Sequence, residues 1–242
     1  MEAAPLTPTQ DAARSRFGRA ARRVAQVLLT LGLWTVLLFL GARRWDWTRG
    51  WIAAALYWAG MVFIGVTTRL YNPGLIAERS RFRRKDTKPF DRLFLAIMLP
   101  LATAQPYIAG RDAGCAACTA LPGVFAYAGA LLFVLGSIVC SWVLAVNPHA
   151  ETTVRIQTDR NHAVITSGPY RYVRHPMYDG VFCLYFGIAL VWGSKWALAI
   201  STALAALFIW RTAMEDRTLR RELSGYEDYT ARTPYRLLPR VW

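Results

Sequence analysis

Residues 121–146 read LPGVFAYAGALLFVLGSIVCSWVLAV, twenty-six positions without a charged side chain. As a helix they reach about 39 Å at 1.5 Å per residue, more than the roughly 30 Å of a bilayer's hydrocarbon core. Asn147-Pro148 stops the helix, because a residue before proline is pushed out of helical conformation. The charge-free stretch is longer still, from Ala113 to Ala150. A soluble helix of this length would carry a polar face, and none is present here. This segment therefore reads as a membrane span, and it sets the reading of its surroundings.

Upstream lie three similar runs: Val24–Ala42, Trp51–Thr68 and Leu93–Gly110, the last bent by Pro100 and Pro106. Downstream lie two shorter ones, Gly180–Ser194 and Trp196–Trp210, with Lys195 between them. Fifteen helical residues reach only about 22 Å, short for a span. These two read as a tight helical hairpin, tilted or packed inside the bundle. The fold class is all-α: a polytopic membrane protein of about six transmembrane helices with a short C-terminal hairpin. Residues 1–23 read as a loose cytoplasmic arm, 24–146 as four spans, and 147–242 as a separate functional core. A cleaved signal peptide is not expected, since the run after the arm is too long and no small-residue cleavage site stands out.

Composition agrees. The chain is 55% hydrophobic and only 18% charged, against roughly 25% in soluble domains. That excludes a disordered tail, a collagen-like chain and a small disulfide scaffold. The formal net charge is +14, and the charge is sorted. With six spans and the N-terminus inside, 24 of the 29 Lys and Arg residues fall on inner segments. This is a positive-inside pattern with both termini cytoplasmic. Topology and anionic headgroups explain the charge, and nucleic acid is not an expected partner. Trp45, Trp47, Trp51, Trp192 and Trp196 suit an interfacial aromatic belt at the outer turns. Arg outnumbers Lys 26 to 3, a composition that suits a bacterial, GC-rich source and hence a bacterial inner membrane.

Cys140 and Cys183 lie in apolar runs and read as core. Cys115-Ala-Ala-Cys118 has disulfide spacing, but no further ligand stands near it to complete a metal tetrahedron. No metal site is expected.

The outer loops are too short to build a site. The inner segments Asn147–Pro176 and Thr212–Trp242 flank the hairpin and must meet at its inner end. The densest stretch is Thr166-Ser-Gly-Pro-Tyr-Arg-Tyr-Val-Arg-His-Pro-Met-Tyr178. Gly168-Pro169 and Pro176 forbid a continuous helix and make it a rigid loop of cations, rings and donors. It could hold a ligand with an anionic end and an aromatic base, or serve as a juxtamembrane basic-aromatic anchor. Arg211 and Glu215 stand one helical turn apart. They form either an i,i+4 ion pair capping the span or a pair of ligand contacts. Residues 219–239 read as an amphipathic helix and an extended tail packed over this end. The basic loop Glu78–Lys88 reads as a membrane-surface stripe or a substrate gate. His149 and His162 each stand alone in their segments.

Taken together, these residues resemble the isoprenylcysteine carboxyl methyltransferase family, related to phospholipid N-methyltransferases. The likeness runs from Asn147 to Trp242. It centres on Gly168-Pro-Tyr-Arg-Tyr-Val-Arg-His-Pro-Met-Tyr-Asp-Gly180 and continues through Arg211-x-x-x-Glu215, Tyr226-x-x-Tyr229 and Arg236-Leu-Leu-Pro239. The resemblance implies a cytoplasmic pocket with S-adenosylmethionine as methyl donor. It implies that Gln157, His162, Ala163, Val164, Ile165, Tyr170, His175, Pro176, Met177, Tyr178 and Glu215 line the donor pocket. It further implies that Arg211 is the catalytic residue facing the acceptor. The match at Gln157 needs a small gap. Asp216 stands where Glu is common, and Pro239-Arg240 where Pro-Gly is common. The implied partners are a lipophilic small molecule or lipid as substrate, and membrane lipids. The acceptor atom and the oligomeric state are not readable.

Two other readings stay open. Membrane reductases of the sterol type carry a similar Arg-His-Pro-x-Tyr loop and Pro-Tyr-Arg-x-x-Pro tail and bind a nicotinamide cofactor. A non-enzymatic membrane scaffold would bind neither cofactor.

Overall fold

The computed structural model describes residues 8–80, 86–115 and 121–242, with side chains described from residue 25 onward. There are eight α-helices among the described residues: α1 Pro8–Ala42, α2 Thr48–Tyr71, α3 Pro73–Arg79, α4 Pro89–Gly114, α5 Val124–Val146, α6 Pro176–Trp192, α7 Lys195–Glu222 and α8 Tyr226–Arg232. The described residues contain no strand. Five stretches are long and apolar enough to cross a membrane: Ala25–Ala42 of α1, then α2, α4, α5 and α7; α6 is apolar but shorter. The architecture is that of a polytopic, all-helical membrane protein. Leu29, Leu40, Val62 and Leu131 are among many large apolar side chains left exposed on these helices, a surface suited to lipid rather than water.

The bundle is held where helices approach closely. α5 packs along α6 through paired glycines. A Cβ on Gly136 would lie 2.7 Å from the Gly180 carbonyl oxygen, and one on Gly129 would lie 2.5 Å from that of Gly187. In lipid, where burial gives helices no hydrophobic drive to associate, such small-residue contacts let dispersion hold them. α4 crosses α7 with Gln105 fully buried, its Nε2 donating to Ser201 Oγ at 2.8 Å and to the Ala197 carbonyl at 3.2 Å. Ser194 caps α7 by accepting from the Ala197 N–H.

Three expectations are revised. The arm read as loose is helical from Pro8, as proline at a first turn and an Ala/Arg-rich stretch allow. The second arm of the hairpin is not short: α7 runs 28 residues, to Glu222, because its polar lower half finds partners inside the protein. The aromatic belt is divided. Trp45, Trp51 and Trp196 are exposed, while Trp47 and Trp192 are buried against Phe39 and Trp34. α4 is continuous through Pro100 and Pro106. Cys140 and Cys183 are free thiols. Cys118 of the CxxC pair, and most of the basic part of the Glu78–Lys88 loop, lie outside the described residues.

Candidate active site

At the end of the bundle opposite the α6–α7 turn, a cavity of about 260 Å³ opens between α4, α6, the lower half of α7 and the segment 147–175. Eleven of the twelve residues named from the sequence line it: Arg211, Gln157, His162, Ala163, Val164, Ile165, Tyr170, His175, Met177, Tyr178 and Glu215. Pro176 does not. It is the buried first residue of α6, where a fixed φ and a missing N–H suit a helix start.

The segment after α5 has only two short 3-10 turns, Thr158–Arg160 and Gly168–Arg171, so much of its backbone must be pinned by side chains. Gln157 does much of this. It is 2% exposed, its Nε2 donates to the His149 carbonyl at 2.7 Å, and its Oε1 meets His149 Nδ1 at 3.2 Å. The two histidines that stand alone in sequence meet here, with ring centroids 4.6 Å apart. Each also accepts from a backbone N–H: His149 Nε2 from Ala163, and His162 Nδ1 from Gln157. Both rings therefore need a bare nitrogen and are held neutral. Burial pushes His149 below its ordinary value and His162 down to about 4, with His149 as the second cause for His162. Below them Arg155 is held charged by Glu151, Asp159 and Asp86, with Glu151 the largest cause.

The loop that follows turns at Gly168, whose φ of +58° favours glycine, and a Cβ there would also crowd Trp142. Tyr170 is fixed at both ends. Its hydroxyl accepts from Asn147 Nδ2 at 2.6 Å, and its carbonyl accepts from the Tyr229 hydroxyl at 2.7 Å. Arg174 and His175 receive the tail, their N–H groups donating to the carbonyls of Tyr235 and Arg236, both at 2.9 Å.

Two carboxylates organise α7. Asp216 is fully buried and accepts from Arg174, Arg236, Arg220 and Tyr226, with His175 Nε2 at 3.4 Å. Glu215 is half-buried on the cavity side and accepts from the Tyr178 hydroxyl. Arg211 does not pair with Glu215, as an i,i+4 reading would have it. Its Nε donates to Asp91 at 2.7 Å and its Nη2 to the Thr152 carbonyl at 2.9 Å. The guanidinium lies over Phe94 and Tyr178, at 4.4 and 5.5 Å from the ring centroids. Its Nη1 has no hydrogen-bond partner among the described residues.

The cavity thus has two kinds of wall. His149, Glu151, Gln157 and His162 make a polar one from loop residues, and Phe94, Leu95, Met98, Val181 and Phe208 make an apolar one from helices. Sequence reading missed Arg79, Asn147, His149 and the α4 residues. Asp91 carried a signal: an acidic residue at the edge of an apolar run is a functional candidate by default.

Residues 124–224 match the family model described as phospholipid methyltransferase. That family includes the isoprenylcysteine carboxyl methyltransferases. The match spans α5, α6, α7 and the loops between them, and leaves α1–α4 and α8 outside. No curated protein matches the chain. The phospholipid methyltransferase match supports a membrane methyltransferase as the general class, and lends nothing to the reductase reading.

Proposed function

We propose that the protein transfers a methyl group from S-adenosylmethionine to a lipophilic acceptor, an isoprenylcysteine-type carboxylate or a similar nucleophile. The reaction takes place at the cytoplasmic face of a bacterial inner membrane, with both termini on that side. The observation that carries this reading is one cavity with a polar loop wall, an apolar helix wall and a buried arginine where they meet.

The residues suit a cationic donor. His149 and His162 are neutral, so neither repels positive charge. Glu215 offers a carboxylate oxygen to a hydroxyl or ammonium group. The backbone N–H groups of Val164 and Ile165 have no partner among the described residues and are free to donate. S-adenosylmethionine bound there would supply a methyl group on a positively charged sulfur. The chain's task is then placement: a nucleophile and a methyl carbon held in line about 3–3.5 Å apart. Arg211, oriented by Asp91 and Thr152, presents Nη1 to the anionic group of the acceptor. Phe94, Leu95, Met98 and Phe208 take up its apolar part and exclude water, which strengthens every charge interaction inside. A carboxylate acceptor needs no general base, so placement and charge balance are the whole of the chain's task.

The test is transfer of labelled methyl from S-adenosylmethionine to N-acetyl-S-farnesylcysteine and to a bacterial lipid extract, using purified protein in detergent. Base-labile label in the organic phase is the expected result. No transfer to either, with NADPH oxidised by the lipid extract instead, would replace this reading by the reductase one.

A further inference from the structure

We infer that Asp91 is a positioning residue of this site, acting on the acceptor through Arg211. The inference rests on the proposed methyltransferase reading. Asp91 lies on the first turn of α4, outside the family-matched residues, and does not itself line the cavity. It is fully buried, and each of its oxygens has one short partner: Oδ1 accepts from Arg211 Nε at 2.7 Å, and Oδ2 from the Val154 N–H at 2.7 Å. One rigid carboxylate thus joins the acceptor-side arginine to the loop segment that forms the donor-side wall. The neighbouring Lys88 N–H donates to the Val154 carbonyl at 3.1 Å, so the start of α4 grips that residue from both sides.

The consequence is geometric. With Nε held by Asp91 and Nη2 by the Thr152 carbonyl, the guanidinium plane is fixed and Nη1 is the nitrogen left for a ligand. Asp91 also balances the arginine's charge, so a buried cation persists without a bound anion. Releasing Nε would let the guanidinium rotate and move the acceptor's reacting atom off line. A displacement near 1 Å is enough for about a hundredfold loss.

The experiment is a double-mutant cycle on the full chain in detergent: wild type, Asp91→Asn, Arg211→Gln and the double variant. Each is read by donor calorimetry, by steady-state methylation of N-acetyl-S-farnesylcysteine, and by thermal midpoint. The expected result for Asp91→Asn is S-adenosylmethionine affinity within about threefold and kcat/KM for the acceptor lower by about a hundredfold. The double variant should be no slower, and melt no lower, than Arg211→Gln alone, because the two residues act as one unit. Losses that multiply in turnover and add in midpoint would overturn the inference, since Asp91 would then be a separate structural element. The thermal cycle needs no acceptor, so it decides the pairing whichever lipid is methylated. A wild type that binds no S-adenosylmethionine would instead refute the methyltransferase reading.

Discussion

Two buried arginine–aspartate pairs hold the lower half of α7, and they are finished differently. In the Arg174–Asp216 pair every guanidinium nitrogen is used: Nε and Nη2 on the carboxylate, Nη1 on the carbonyls of Thr233 and Pro234. Asp216 is saturated in turn by Arg236, Arg220 and Tyr226. In the Arg211–Asp91 pair one nitrogen is left over, and Arg211 is a residue of the cavity lining. A saturated pair is a clamp: it ties the α6 start, α7, α8 and the tail into one body. The unsaturated pair is the one with a donor left over, which the proposed function assigns to a ligand. The two aspartates are equally buried, so burial alone does not separate the roles, whereas the count of unused donors does.

Breaking the clamp should have the largest effect on the fold. Asp216→Ala leaves Arg174 buried without its partner, which costs about 3–5 kcal/mol. The expected outcome is a large fall in thermal midpoint and little protein recovered in a monodisperse peak. Breaking the other pair should act mainly on function. Arg211→Ala should cut turnover about a hundredfold while donor affinity, read by calorimetry, stays within about threefold. It also strands Asp91, so some stability is lost, and adding Asp91→Asn should restore part of it. Glu215→Ala sharpens the comparison from the cavity side. It removes a half-buried carboxylate that belongs to neither pair, so donor affinity should fall about tenfold with the midpoint little changed.

The smallest effect concerns pH. His162 is held down to about 4 when folded, against roughly 6.5 unfolded. Between those values the unfolded chain binds more protons, so stability rises with pH there. The contribution is fully present above about pH 6.5 and is lost as pH falls towards 4. Thermal midpoints measured from pH 7.5 to 4.5 should show this decline, and His162→Gln should flatten it. An identical decline in that variant would assign the effect to other groups.

Much of the fold was legible because its signal is local. An uncharged run such as Leu121–Val146 needs no partner to be recognised, and the glycines that seat α5 on α6 lie inside it. The site was legible where the chemistry is crowded, from Gln157 through Tyr178 and again at Arg211 and Glu215. What escaped depends on residues far apart in the chain. Arg211 and Asp216 were read on the helix that continues past Trp210, but their partners, Asp91 120 positions earlier and Arg174 42 positions earlier, were not. His149 and His162 read as isolated because an irregular loop, folded back by Gln157, is what brings their rings together. Asp216 read as a minor variation on a familiar motif, yet it accepts hydrogen bonds from four side chains.

The measurement that most directly tests the central claim is calorimetric titration of the purified protein in detergent with S-adenosylmethionine and, separately, with NADPH. Saturable one-to-one binding of S-adenosylmethionine, weakened in Glu215→Ala and absent for NADPH, is the expected result. Binding of NADPH alone, or S-adenosylmethionine binding indifferent to Glu215, would contradict the account of this cavity.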